Sequence, residues 1–450
     1  MAASTAATVA VACVAMFQAV TKEGDRALYF SDGATTKKLI DLVDAPGADA
    51  YSFTSVGKGN VLFSNTSEAA GRELWITNGA AAGTRLLKDI NPGAASSSPG
   101  GGWSASRNTR FETIGDRAIF PAVTKLQGHE MWTSDGTAAG TQILTDQLPG
   151  PGNGAGHPPA NPLVFSNGAF AIYSDFGSNI WATHGIGGEQ VLKWKSGVAI
   201  YPGLGTVGNR ILFGPDLWVT NGTAARTRSL KPASSPNWRV WSISRLRGMP
   251  YALLSVTTNS VDSRELWVTD GTEGGTKRLG NVNLYNWGSN NDPFVKIGSK
   301  VYFVATNVIA NNPAGQELWV TQGTAATTKR AVVLAPTPQF TSFAPLGSKL
   351  YFTAKATQEG YSFAVNRAFV TDGTTAGTRM LSTLLTPAGP LLSLHNRVVF
   401  PVSSSGQVAL WAAGSGLAAP VKVSYNFSKI VGMQNVEIRS PNGVNTPCAK

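Results

Sequence analysis

Short apolar runs of strand length recur along the whole chain, rich in β-branched and aromatic residues and bounded by Gly, Asn, Asp and Pro. No stretch carries the apolar period of an amphipathic helix. The segment 342–381 shows the pattern most fully. Residues 343–346 read as a strand, 347–349 as a hairpin and 350–354 as a second strand. After a variable loop, 367–371 form a third strand, DGTTAGT (372–378) turns the chain, and 379–381 begin a fourth. Asp-Gly and Asn-Gly are strong hairpin signals because glycine takes positive φ without strain.

The third strand and its turn repeat. The chain reads ELWITNG at 73–79, EMWTSDG at 130–136, DLWVTNG at 216–222, ELWVTDG at 265–271, ELWVTQG at 317–323 and AFVTDG at 368–373. Weaker copies lie at 27–33, 179–185 and 409–414. The leucine-equivalent positions, from Leu28 to Leu410, recur about every 48 residues, the period of a four-stranded propeller blade. The predicted fold is all-β, a single β-propeller over residues 1–450 with four-stranded antiparallel blades, nine by repeat count. Eight blades is the rival, since common propellers have about four to eight and both chain ends compete to complete the first blade. Residues 1–20 read as first-blade strands or as a signal-like segment, Ala-rich but with no Lys or Arg ahead of it. Residues 427–439 read as an extra strand pair closing the ring, and 440–450 as a C-terminal tail.

Six copies keep the turn glycine and a threonine five residues on: Thr84, Thr141, Thr227, Thr276, Thr328 and Thr378. This pattern resembles the ELWxxDGTxxGT repeat of hyalin-like secreted and surface β-propeller proteins of bacteria and some algae, over nearly the whole chain. The copies at 179–185, with His184 and Gly185 in the turn, and at 409–414 lack the threonine. The resemblance implies a propeller-like module that is secreted, extracellular or at the cell surface. It implies no chemistry, because that family has no assigned general activity.

Composition narrows the classes further. Hydrophobic residues make up 42% of the 450, enough to close a core, and charged residues only 14%. No run reaches the roughly 18 apolar residues of a membrane-spanning helix. The two cysteines, Cys13 and Cys448, exclude a disulfide-dense scaffold and a CxxC zinc site. They are either separate thiols or one bridge tying the chain ends together. A net charge of +11 favours an acidic partner such as an anionic glycan. The charge is spread without a Lys/Arg run, so no nucleic-acid partner is expected.

Trp75, Trp132, Trp181, Trp218, Trp267, Trp319 and Trp411 occupy the motif once per blade, which marks them as inter-blade packing. Trp103, Trp194, Trp238, Trp241 and Trp287 instead fall between the fourth strand of one unit and the first of the next. Hairpins of a meander alternate ends, so the long 2–3 and 4–1 connections share one face and the short 1–2 and 3–4 turns the other. Binding is assigned to the variable face, with Trp103, His129, His157, Trp194, Trp238, Tyr285 and Trp287 as its candidates. Exposed Trp and Tyr there suit stacking on sugar or anchoring a protein; capping of blade ends is the plainer alternative.

Lys38, Arg85, Arg228, Lys277, Lys329 and Arg379 open the outermost strands and would form a basic rim. That rim either attracts an anionic neighbour or keeps the edge strands solvated. Glu73, Glu130, Asp216, Glu265 and Glu317 lie on separate blades, too dispersed for a catalytic carboxylate pair. One Asp per turn falls short of a calcium shell. No metal and no cofactor is expected, and no HExxH, nucleophile elbow, Walker A or dinucleotide fingerprint occurs. Glycosylation acceptor patterns begin at Asn65, Asn221 and Asn426. The expected function is an extracellular structural or adhesion module docking a protein partner in a larger surface assembly through its variable loops. A lectin-like binder of anionic polysaccharide is the first alternative. A hydrolase or lyase acting at the propeller mouth is the second.

Overall fold

Four strands, each short and bounded by tight turns, can only form a narrow antiparallel sheet, and nine such blades follow one another around a propeller. The computed structural model describes residues 12–45, 48–101, 111–147, 149–151, 164–175, 179–193, 204–232, 237–246, 248–258, 264–284, 294–306, 316–332, 339–357, 364–414 and 417–438. Blade 2 shows the plan: inner strand Tyr51–Val56, then Asn60–Ser67, then Gly71–Thr77 with the motif, and outer strand Arg85–Lys88. The inner strands of blades 3 to 8 begin at Glu112, Val164, Leu204, Arg239, Phe294 and Gln339. In blade 9 the inner strand is split into Thr386–Pro387 and Leu392–Ser393. Blades 6 and 7 join in one sheet because Asn283 and Leu284 of Lys277–Leu284 pair with Thr306 and Ala305. Three single 3-10 turns, all in 3–4 turns, are the only helical backbone among the described residues.

Blade 1 is assembled from both ends of the chain. Ala12–Val20, Arg26–Ser31 and Thr36–Asp41 are its second, third and outer strands. Its innermost strand is Lys429–Ile438, antiparallel to Ala12–Val20 from Val20↔Lys429 to Ala12↔Ile438. The strand pair expected at 427–439 is therefore one strand. A ring needs a single edge filled at this seam, and Phe427 is used elsewhere, bridging Val408 of blade 9 and packing edge-on against Phe17 and Tyr29. Within the 1–20 segment, residues 1–11 lie outside the described residues, and Ala12–Val20 is a strand buried from Val14 to Ala19. Cys13 beside it is disulfide-bonded; Cys448, the other cysteine of the sequence, and the 440–450 tail lie outside the described residues.

Nine apolar clusters fill the nine seams, one between each pair of neighbouring blades. The motif supplies both sides of them, since successive residues of a strand point to opposite faces. Leu74 enters the seam with blade 3, whereas Trp75 enters the seam with blade 1. Leu266 and Trp267 divide in the same way between blades 7 and 5. Trp238, offered by the sequence as a binding residue, is 3% exposed and meets Trp267 edge-to-face at 4.5 Å in the seam of blades 5 and 6. It belongs to the core.

The turn after each motif strand is held by its own side chains. The strand hydroxyl and the distal threonine meet at 2.7 Å in Thr77–Thr84, Ser134–Thr141, Thr220–Thr227, Thr269–Thr276 and Thr371–Thr378, and at 2.8 Å in Thr321–Thr328. Asp270 Oδ1 accepts from the Thr272 amide and hydroxyl, and Gly275 N donates to Thr272 Oγ1. A Cβ on Gly275 would stand 2.0 Å from Asp270 Oδ1, which accounts for the second motif glycine. Gly271 has φ of +83°, and its Cβ would stand 2.7 Å from the Arg210 guanidinium of blade 5. That guanidinium in turn donates to the carbonyls of Gly271 and Asp270, tying turn to neighbouring blade.

Gly271→Val is therefore expected to lower stability by about 1–3 kcal/mol through backbone strain and loss of the Arg210 contact. Gly274→Ala, at a position with open space around it and no positive φ, is expected to stay within about 0.5 kcal/mol of the parent. Equal melting temperatures for the two variants would refute this account of the turn.

Candidate functional site

The charged motif residues are taken up inside the blades. Glu73 is fully buried and accepts from the Ile90 amide at 2.8 Å, the Ser97 amide at 2.7 Å and the Ser97 hydroxyl at 2.5 Å. Burial pushes its carboxyl above the usual range, against the opposing pull of those donors. Glu130, also buried, accepts from the Gln147 amide at 3.2 Å. Glu265 and Glu317 accept from the indoles of Trp267 and Trp319 and pair with Arg278 at 3.3 Å and Arg330 at 2.9 Å. Asp216 pairs with Lys231 at 3.2 Å. Backbone amides, a hydroxyl, indoles and basic side chains thus serve these dispersed carboxylates.

The outer strands differ. Lys38, Arg85, Arg228, Lys277, Lys329 and Arg379 are all exposed at or near the start of an outer strand, on the side of the short turns. Lys38 pairs with Asp41. The other five make no ion pair among the described residues, although Arg278 and Arg330, one position further on, are both paired. Alternation explains the split: one residue of the pair turns toward the motif glutamate and its neighbour turns to solvent.

On the variable face, residues 89–101 form a strap across blades 2 and 3. Ser97 O accepts from Val123 N at 2.8 Å, Gly100 N donates to Pro121 O at 2.8 Å, and Asn91 Oδ1 accepts from Lys125 N at 3.0 Å. His129 lies under this strap, 1% exposed, with Nε2 3.5 Å from Gly101 O. It is an interior residue, not one presented to a ligand. Trp103, His157, Trp194, Tyr285 and Trp287 lie outside the described residues. Of the glycosylation patterns, Asn65 is buried and Asn221 Oδ1 is engaged by Thr223, while Asn426 is exposed.

Sequence reasoning passed over one group on this face. Trp241, on the inner strand of blade 6, lies between two arginines, with the Arg239 and Arg264 guanidiniums each 4.6 Å from its ring and its Nε1 donating to Thr257 Oγ1 at 3.1 Å. The signal available was an Arg two residues before a Trp outside the motif, joined by an Arg just before a motif glutamate.

A cavity of about 390 Å³ opens among the innermost hairpins of blades 4, 5 and 6, lined by residues that include Asn167, Thr206, Asn209 and Met249. None of its lining residues is an acid, a base or a cysteine. No group of three His, Cys, Asp or Glu side chains able to hold a metal occurs among the described residues. No described helix is long and apolar enough to cross a membrane.

No family model and no curated protein matches the chain. Solved structures do. The computationally designed Ika8 protein is 12% identical with a TM-score of 0.44, over 83% of this chain and 98% of its own. A prolyl endopeptidase is 10% identical with a TM-score of 0.44, over 84% of this chain and 49% of its own. A puromycin hydrolase is 12% identical with a TM-score of 0.36, over 74% and 57%. The chain thus spans about half the length of the two hydrolases. Likenesses this distant carry no argument about activity.

The turn aspartates give a pH-dependent stability. Hydrogen bonds from the Thr272 and Thr374 hydroxyls, with further help from backbone amides, hold Asp270 and Asp372 below the ordinary carboxylate range. A lowered folded pKa adds stability above the unfolded value near 3.8, and that stability is lost as pH falls through the folded pKa. Asn78 and Asn221 already serve in the same turn position. The double variant Asp270→Asn, Asp372→Asn is expected to melt near the parent at pH 7 and to lose less of its stability between pH 4 and pH 2. An unchanged acid slope in thermal melts would refute this.

Proposed function

We propose that the protein is a non-catalytic extracellular binding module whose outer rim recognises an anionic polysaccharide. The observation that carries this reading is the set of five exposed, unpaired outer-strand cations, Arg85, Arg228, Lys277, Lys329 and Arg379, among the described residues. Charges repeated on blades 2, 5, 6, 7 and 8 suit a polymer whose own charges repeat, and a net charge of +11 adds long-range attraction. The uncharged lining of the cavity gives a hydrolase or lyase no acid or base to work with there. A disulfide-bonded Cys13 is in keeping with an oxidising compartment.

A second reading, docking of a protein through the variable face, is favoured by Leu126, Leu384 and Tyr425. They are 74%, 90% and 73% exposed on connections of blades 3, 8 and 9. Isolated apolar tips of this kind anchor less than a contiguous patch would.

Immobilised polygalacturonate tests the rim. The parent is expected to be retained at low salt and released as salt shortens the screening length to about 8 Å. A variant with all five cations changed to Gln is expected to elute much earlier, with each exposed change costing no more than about 0.5 kcal/mol of stability. Identical elution of parent and variant would overturn the rim as the binding surface.

A further inference from the structure

The net charge is lodged in one half of the ring. Residues 1–200, which hold blades 1 to 4 apart from the closing strand, contain 14 Lys and Arg against 16 Asp and Glu, whereas residues 201–450 contain 23 against 10. Four of the five rim cations, Arg228, Lys277, Lys329 and Arg379, accordingly stand on the consecutive blades 5 to 8.

A second pair of cations lies closer to the ring axis in the same half. Lys300 and Lys349 open the second strands of blades 7 and 8, directly after the 1–2 hairpins, and both are exposed. The register aligns them with Arg117 and Arg210, since Ile297, Leu346, Ile114 and Val207 are the respective cross-strand partners. The two arginines are used within the ring. Arg117 donates to the Gly140 carbonyl at 3.0 Å, and Arg210 to the Gly271 carbonyl at 3.0 Å. In blades 7 and 8 other side chains meet the next turn. The Tyr302 hydroxyl occupies the space a Cβ on Gly373 would need, and Leu346 approaches Gly414 in the same way. Lys300 and Lys349 are thereby left without an ion pair or hydrogen bond among the described residues.

Edge protection does not account for these lysines. A second strand is hydrogen-bonded on both sides, here Lys300–Thr306 to Phe294–Ile297 and to Gln316–Thr321, so it has no open edge to keep solvated.

Between the inner and outer cations of blade 7 lies an uncharged floor. Its 3–4 turn carries Gln322 where blades 6 and 8 carry Asp270 and Asp372. Gln322 Nε2 donates to Ser299 Oγ of the 1–2 hairpin at 2.9 Å, which fixes hairpin and turn side by side, with Lys300 following one and Lys329 following the other. The second and outer strands of a blade are two strand spacings apart, about 10 Å. The flanking turns hold Asp270 and Glu273 in blade 6 and Asp372 in blade 8. Thr272 and Thr374 engage the two aspartates, and Lys349 acts on Asp372 through its charge.

We propose that an anionic polysaccharide lies across the short-turn face of blades 6 to 8, over Gln322, held by Lys300 and Lys349 on the axial side and by Lys277, Lys329 and Arg379 on the rim side. This rests on the polysaccharide reading and adds where the chain runs and how much of it is held. Engaging an inner and an outer cation about 10 Å apart takes at least two acid-bearing rings.

Calorimetric titration of the whole protein with hexa-galacturonate at low salt tests this track, beside galacturonate monomer and hexa-glutamate. The parent is expected to bind the hexamer about tenfold or more tightly than the monomer. The double variant Lys300→Gln, Lys349→Gln, outside the five rim positions, is expected to weaken hexamer binding roughly fivefold. The double variant Lys58→Gln, Lys125→Gln removes the same charge from exposed positions of blades 2 and 3 and is expected to bind like the parent. Equal affinity of the parent and the Lys300, Lys349 variant, or equal weakening by the two double variants, would overturn the track while retention of the parent on the polymer column upholds the rim. A parent that binds neither hexamer nor polymer would overturn both. Monomer binding as tight as hexamer binding would overturn the two-ring span. Hexa-glutamate binding as tight as the sugar would overturn the polysaccharide assignment in favour of an acidic peptide.

Discussion

Every blade depends on burying both faces of its sheet against its neighbours. A four-stranded sheet of such short strands has no interior of its own, so its apolar side chains leave water only where two sheets meet. The nine seam clusters are that interior, distributed around the ring. Leaving one seam open would expose two apolar faces at once. This is why the last blade-forming strand, Lys429–Ile438, is spent on the first blade, where it shields Val14 and Met16.

The same constraint explains where the repeat is strict. The motif leucine and tryptophan point into opposite seams, so neither can change without affecting a different neighbour. The turn after them is strict for a second reason. Its carboxylate, hydroxyls and glycines form one hydrogen-bonded unit in which Asp270 and Gly275 each occupy space the other leaves. Outer strands and long connections have only one buried side or none, and it is there that charge and shape vary. The rim cations lie in these permissive places.

Much of this was legible along the chain. Strand signals and the recurring ELW and DGT residues come from local pattern, because each blade repeats one local solution, whereas the choice of nine blades over eight waited on the strand that closes the first blade. The role of the motif tryptophans followed from their periodicity alone. The candidate site was far less legible. His129 and Trp238 looked available because they lie near connections, yet one is covered by a strap from the preceding connection and the other is caught between Trp267 and a neighbouring sheet. Trp241 looked no different from them, and only its cross-strand neighbours distinguish it.

By itself the amino-acid sequence determined a propeller of repeated four-stranded sheets, nine by direct count with eight as the rival, since hydrogen-bonded turns and alternating side chains are set by residues close together in the chain. Only the tertiary structure decided that the blades are nine and not eight, how the ring closes and which cations remain unpaired among the described residues. Those outcomes depend on contacts between strands far apart in sequence.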